Sequence, residues 1–427
     1  MANSVELKAK LAAGEFDERL KAVYLSDEAV KAQKTRDTEI IDAFVELFGD
    51  NDNLALFSAP GRTEVGGNHT DHNHGKVLAA SVNLDTVAAA AKRDDMVACE
   101  KSMGHGMIEI DISDLEPHEN EFGKSSGLIR GMCAGFKKYG YNIGGFNAAS
   151  ASCVLAGSGL SSSAAYEVLI GTILNHLYND GQVSAVDIAK IAQYAENVYF
   201  GKPCGLMDQM ASSVGSFITI DFKNPAEPVI NKVEFDFASC GHALCIVDTG
   251  GSHADLTDDY AAVRGEMESA AGVFGKDVLR DVDENEFMAN IRQVRESCGD
   301  RAVLRAVHFY NENKRAVAEV EALTNNDFEA FKEIVVESGR SSYMYNQNVY
   351  TTKAPQEQGL SVSLLLCEEM LKGKGAWRVH GGGFAGTIQA FVPNDMLEQF
   401  RSTIEAVYGE GTCHVLSIRP FGGIKLY

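Results

Sequence analysis

Apolar residues recur every third or fourth position through T-E-I-I-D-A-F-V-E-L-F at 38 to 48, where Ile41, Phe44, Val45 and Phe48 share one face; the spacing predicts an amphipathic helix that stops at Gly49. The residues ahead of it, 1 to 37, are helix-prone and highly charged, which predicts a peripheral cap outside any active centre. A second helical period starts at Ser184, S-A-V-D-I-A-K-I-A-Q-Y-A-E-N-V-Y-F, with apolar residues at 188, 191, 192, 195, 198 and 199 and Ser184 placed as its N-cap. Two stretches break these periods. At 54 to 59 the apolar run L-A-L-F-S-A ends in Pro60-Gly61, and R-T-E-V-G-G-N-H-T-D-H-N-H-G follows from Arg62 to Gly75, before a further apolar stretch at 77 to 90. So polar a segment between apolar runs predicts a surface ligand loop rather than core. At 154 to 171, V-L-A-G-S-G-L-S-S-S-A-A-Y-E-V-L-I-G passes from a glycine-serine turn straight into a buried helix.

That second break has the chemistry of a phosphate cradle. Gly157 and Gly159 let the backbone bring N–H groups against an anion, Ser161, Ser162 and Ser163 supply hydroxyl donors, and the positive end of the helix faces the loop. The alternative is a surface turn with Ser161 as an ordinary N-cap. A dinucleotide fingerprint would need glycine at Ser162, and no Gly-Lys-Ser/Thr follows as a Walker A loop requires. His69, His72 and His74 beside Asp71 invite a zinc reading, but their spacing matches no metal scaffold; Asn68 and Asp71 suit sugar hydroxyls and Arg62 a phosphate. After the helix carrying Glu196, Asp208 stands in an apolar neighbourhood within G-L-M-D-Q, either as a functional carboxylate or as the cap of the next helix.

Composition narrows the partners. The chain has 427 residues, enough for two domains, and 38 basic against 60 acidic side chains give a net charge of −22, which disfavours nucleic acid and anionic membranes. No apolar run reaches the length of a membrane span and the N-terminus is charged, so a cytoplasmic protein is expected, binding small molecules as a monomer or weak homo-oligomer. Nine cysteines with no C-x-x-C pair read as reduced thiols.

Together, A-P-G-R-T-E-V-G-G-N-H-T-D-H-N-H-G at 59 to 75, G-S-G-L-S-S-S-A-A at 157 to 165, C-G-L-M-D-Q at 204 to 209 and V-H-G-G-G-F-A-G at 379 to 386 resemble the motifs of the GHMP kinases, in family order, and within that family those of the galactokinases. The resemblance implies an α/β (α+β) two-domain fold, an N-terminal ribosomal protein S5 domain 2-like domain and a ferredoxin-like C-terminal domain, with the site between them. Asn224–Pro228 is the expected crossover, dividing 1–225 from 226–427. It implies an ATP-dependent kinase for the anomeric hydroxyl of galactose, with Mg2+. By the same resemblance Asp208 is the catalytic carboxylate and Arg62 its cation, Gly157, Gly159 and Ser161 to Ser163 cradle the nucleotide, Ser163 and Glu196 hold the metal, and Asn68, His69, Asp71, Gly205 and Tyr260 face the sugar. The triple glycine 381 to 383 is expected to approach the phosphate loop.

Against the galactokinase signature R-x-N-x-I-G-E-H-T-D-Y, Glu64 replaces the asparagine, Asn68 the glutamate and His72 the tyrosine. An amide at 68 would no longer repel a C6 carboxylate, so galacturonate, a galactosamine, or a non-catalytic sugar and ATP sensor stand beside galactose as alternatives.

Overall fold

The computed structural model describes residues 3–154, 159–202, 204–251 and 256–427. Helices α1 (Ser4–Ala13), α2 (Asp17–Tyr24) and α3 (Asp27–Phe48) open the chain. The predicted helix at 38 to 48 is the second half of α3, which begins earlier because Ser26 caps it by accepting from the Ala29 N–H; it ends at Gly49, φ 79°, as the pattern predicts.

Then come β1 (Ala55–Gly66), β2 (Lys76–Lys92), β3 (Val97–Ser102), β4 (Met107–Asp111), α4 (Ser125–Lys138), β5 (Phe146–Ser152), α5 (Ser162–Tyr178), α6 (Ala185–Tyr194), α7 (Met207–Val214), β6 (Phe217–Asp221) and β7 (Val229–Val233). The second half holds β8 (His242–Asp248), α8 (Thr257–Gly272), α9 (Glu284–Ala289), α10 (Ile291–Cys298), α11 (Asp300–Thr324), α12 (Phe328–Ser341), α13 (Gly359–Leu371), β9 (Ala376–Val379), β10 (Thr387–Pro393), α14 (Leu397–Tyr408), β11 (Cys413–Leu416) and β12 (Ile424–Lys425). The first sheet runs β12-β1-β2-β5-β3-β4, with the β6–β7 hairpin hung on β2; the second runs β11-β8-β10-β9, the antiparallel order of a ferredoxin-like unit. The fold is thus mixed α/β with two sheets. One apolar cluster joins them, taking Leu78, Ala80 and Phe217 from the first sheet, Leu244, Ile246 and Phe391 from the second, and Phe331 from α12.

Two expectations give way here. Asn224–Pro228 is not the crossover but the turn of the β6–β7 hairpin, paired Phe217↔Val233 to Asp221↔Val229; the chain leaves the first sheet after β7 and returns to it at β12, where Phe57 pairs with Lys425. Nor does the loop begin at Arg62. β1 continues to Gly66 and is buried throughout, because partners distant in sequence satisfy its polar side chains: Asp208 for Arg62, Gln389 for Thr63 and Arg378 for Glu64. Only 67 to 75 form the loop.

The charged N-terminal cap is bound to the sheet by buried ions. Asp85 of β2 accepts from Arg36 at 2.5 Å, Tyr24 at 2.7 Å and Arg419 at 2.9 Å. Burial pushes its carboxyl up, but Arg36 and Arg419 outweigh that and hold it below the usual carboxylate range. All nine cysteines are free thiols, and among the described residues no helix is long and apolar enough to cross a membrane.

Asp37 on α3 behaves oppositely. It is fully buried and forms no ion pair among the described residues, and burial pushes its carboxyl up from 3.8 to about 7, against hydrogen bonds from Tyr427 and Gln33 and the field of Arg36. Below about pH 4 it holds its proton in both folded and unfolded chains; as pH rises toward 7 only the unfolded chain readily releases it, so stability falls across that window. Asp37→Asn should therefore stabilise the protein at about pH 8 by on the order of 3 kcal/mol, the gain shrinking as pH falls toward 4. Urea unfolding across that range tests this; a gain independent of pH would exclude Asp37 as the titrating group.

Candidate active site

A buried arginine on a strand requires a counter-charge, and Arg62 finds it at the start of α7. Its Nε and Nη2 donate to Asp208 Oδ1 and Oδ2, each at 2.7 Å, a planar two-point pairing. A register shift in β1 between Pro60 and Arg62 aims the side chain toward α7. Arg62 Nη1 also donates to the Gly159 carbonyl and its backbone N–H to Leu160 O at 3.0 Å, so the strand grips the glycine-serine turn directly. Gly61 permits this approach: a Cβ there would stand 2.8 Å from Leu160 O. Ser161, at φ 55°, donates its hydroxyl to Asp208 Oδ2 rather than capping α5. Burial pushes the Asp208 carboxyl up, yet Arg62 and the Ser161 hydroxyl bring it below its ordinary value. Its side chain keeps 32% of its surface exposed, so this anion can still meet a ligand.

Of the phosphate-loop residues, Gly157 lies outside the described residues. Gly159 has φ 73° and faces the second sheet, where His380 Nδ1 would be 3.2 Å from any Cβ added there. Helix α5 starts at Ser162 with no side-chain cap among the described residues, leaving its positive end toward the turn. Ser163 and Glu196 come together, Oγ donating to Oε1 at 3.5 Å. Glu196 sits where α6 widens into a π turn, Ala195–Phe200, so the expected helix from Ser184 changes its winding just before this residue. Lys202 Nζ is 3.2 Å from Glu196 Oε1, and Gln209 Nε2 donates to Oε2 at 2.7 Å. Gln209 also reaches Glu167 Oε2 at 3.2 Å, while Glu167 Oε1 is buried with no partner among the described residues. Burial and the nearby Glu196 push the Glu167 carboxyl well up. Sequence reasoning passed over Glu167; its signal is a lone acid in the apolar run, one helical turn beyond Ser163. The Ser163 hydroxyl and the Glu196 carboxylate are oxygen donors of the kind that fit Mg2+. Among the described residues no three or more His, Cys, Asp or Glu side chains are grouped as a metal ion would need, and His69, His72, His74 and Asp71 form no such group.

Across the cleft, Asp71 Oδ2 lies 2.9 Å from where a Cβ on Gly205 would stand, so Gly205 leaves room beside that carboxylate. The Asp71 carboxyl is pushed up by burial, and Arg62, Asp71 and Asp208 lie within one another's fields. His69 Nε2 donates to Gly382 O at 2.9 Å, and Tyr260 OH donates to Gly383 O at 2.9 Å. The triple glycine therefore turns its carbonyls to His69 and Tyr260; among the described residues its neighbour His380, with Thr387, is what packs against Gly159.

The segment 42–92 matches the family model described as "Galactokinase galactose-binding signature", and 127–216 that of "GHMP kinases N terminal domain". A galactokinase of Mannheimia succiniciproducens is 30% identical over 382 residues, spanning 86% of this chain and 93% of the relative; one of Glaesserella parasuis is 31% identical over 380 residues with the same coverage. The chain belongs to the galactokinase family. The crystal structure of Lactococcus lactis galactokinase complexed with galactose superposes with a TM-score of 0.75 at 28% identity, covering 90% of this chain and 98% of that one. A mevalonate kinase structure, at 12% identity and TM-score 0.60 over 85% of this chain and 99% of that one, shares the fold.

Against the galactokinase signature, the departures at 64 and 68 form one exchange. The carboxylate has moved from 68 to 64 and the amide from 64 to 68, and the two side chains bond each other, Asn68 Nδ2 donating to Glu64 Oε1 at 2.9 Å. Glu64 is anchored by Arg378 at 2.6 Å. Asn68 is wholly buried and committed: Nδ2 also donates to Gly381 O, and Oδ1 accepts from Ser342 and Asn348. The residue expected to face the sugar is thus hydrogen-bonded on both its amide nitrogen and its amide oxygen to protein groups.

Asn68→Glu alone would set two carboxylates side by side in the interior and should cost on the order of 3 kcal/mol in stability. Glu64→Asn combined with it restores one carboxylate per pair and should recover more than half of that loss. Chemical unfolding of both singles and the double measures the coupling; additive losses would show that 64 and 68 are independent.

Proposed function

We propose that this protein transfers the terminal phosphoryl group of ATP to the anomeric hydroxyl of galactose, releasing ADP and galactose 1-phosphate. The observation that carries the reading is the two-point Arg62–Asp208 pair, open on one side and flanked by Ser161 and the start of α5. Asp208, held ionised by Arg62, orients the sugar hydroxyl and takes its proton as the new O–P bond forms and the bond between the β–γ bridging oxygen and the γ-phosphorus breaks. Arg62 offers positive charge beside the transferring group, and the N-terminal end of α5 with Ser162 and Ser163 binds the phosphates.

Ser163 and Glu196 would hold Mg2+, which neutralises phosphate charge when bound; the nucleotide and water complete its shell. His69, Asp71, Gly205 and Tyr260 line the sugar side, which agrees with the galactose named for the Lactococcus lactis structure. With Asn68 committed to protein groups, recognition of the sugar's C6 end falls to other groups, so the substrate panel must include hexuronates. The presence of Arg62, Asp208, Ser163 and Glu196 together favours turnover over a purely sensing role.

Asp208→Asn should leave nucleotide binding nearly intact and lower kcat by about two orders of magnitude or more. Coupled ADP release with galactose, other hexoses and galacturonate tests both parts. Activity within a few-fold of the parent removes Asp208 from the role; phosphorylation of galacturonate with galactose ignored overturns the substrate.

A further inference from the structure

Behind Ser163 and Glu196 lies a polar chain that the proposed reaction does not use. Glu167 and Gln209 are both wholly buried. A single amide nitrogen, Gln209 Nε2, spans two carboxylates, 2.7 Å from Glu196 Oε2 and 3.2 Å from Glu167 Oε2. Among the described residues the other oxygens of Glu167 and Gln209 are buried without partners. Interior polar atoms left unpaired are costly, so a plain structural plug would be more stable as leucine or methionine. What the chain does accomplish is orientation. Glu196 stands on the π turn, and with Oε2 taken by the amide its Oε1 is the oxygen turned to Ser163 at 3.5 Å and to Lys202 Nζ at 3.2 Å.

We propose that Glu167 and Gln209 are positioning residues for the cation that accompanies the nucleotide: Glu167 anchors the Gln209 amide, and that amide fixes Glu196 so that Oε1 faces Ser163. The inference rests on the reading that Ser163 and Glu196 receive that cation. Residues acting one step behind a metal ligand alter metal affinity by about 10–100-fold when removed, without touching the metal. The relay acts through a hydrogen bond accepted by Glu167, not through its charge. An amide at 167 can still accept that bond; leucine cannot.

The test measures Mn2+ binding to the full-length protein by electron paramagnetic resonance, with a β,γ-imido analogue of ATP present and no turnover. Glu167→Leu and Gln209→Leu should each weaken Mn2+ binding about tenfold or more, and Glu167→Gln should stay within about threefold of the parent. Affinities for galactose and for the metal-free analogue should change by less than about twofold in all three, which a general structural defect would not allow. Glu167→Leu with parental Mn2+ affinity and a cooperative melt overturns the relay. So does Glu167→Gln as weak as Glu167→Leu, since charge would then be the active property. Should Glu167→Leu fail to fold, Gln209→Leu poses the same question from the other end of the chain. A parent protein that takes up no Mn2+ with the analogue overturns the metal role of Ser163 and Glu196 and the relay with it, a result distinct from failure of the relay alone.

Discussion

A charged side chain inside a sheet costs stability unless an opposite charge or hydrogen bonds meet it, and that demand shapes the centre of this protein. β1 and β2 carry Arg62, Glu64 and Asp85 through the interior. Each is answered from a different part of the chain: Arg62 from α7, Glu64 from β9, Asp85 from α3 and from the segment before β12. The pairs therefore do two things at once. They hold α7, the second sheet and the N-terminal cap against one sheet, and they set where Asp208 and the start of α5 stand relative to β1.

The Arg62–Asp208 pair shows how closely the two roles coincide. Ionisation of Asp208 depends on Arg62, and the path of the glycine-serine turn depends on the same guanidinium through Gly159 O and on the backbone of Arg62 through Leu160 O. A substitution at Arg62 would displace loop, helix and charge together. Preorganisation of this kind costs little at the moment of reaction because the fold has already fixed the groups.

Local pattern carried the helices well. Gly49 ends α3 and Ser184 caps α6 as their chemistry requires, and the galactokinase-like motifs are recognisable from residue type and order alone. What the pattern could not show is burial conferred by distant partners. Arg62-Thr63-Glu64 reads as loop because its polarity is local while the groups that neutralise it lie 146 and more residues away. The exchange between 64 and 68 looked like two separate departures for the same reason, since only the fold shows that one side chain bonds the other. The changeover between halves was placed by its prolines, which mark a turn equally well when the turn closes a hairpin. Glu167 was hidden in an apolar run, where a single acid is easily passed over until its partner on α7 is seen.

The return of the chain to its starting sheet bears on cooperativity. Because β12 closes the edge of β1, and Arg419 just before it neutralises Asp85, the first sheet is complete only when the second has been traversed. The apolar cluster shared by both sheets adds to this. Severed between the halves, the N-terminal piece would keep an open strand edge and a buried carboxylate short of one cation, so the contacts favour unfolding of the two halves together rather than as two beads on a string.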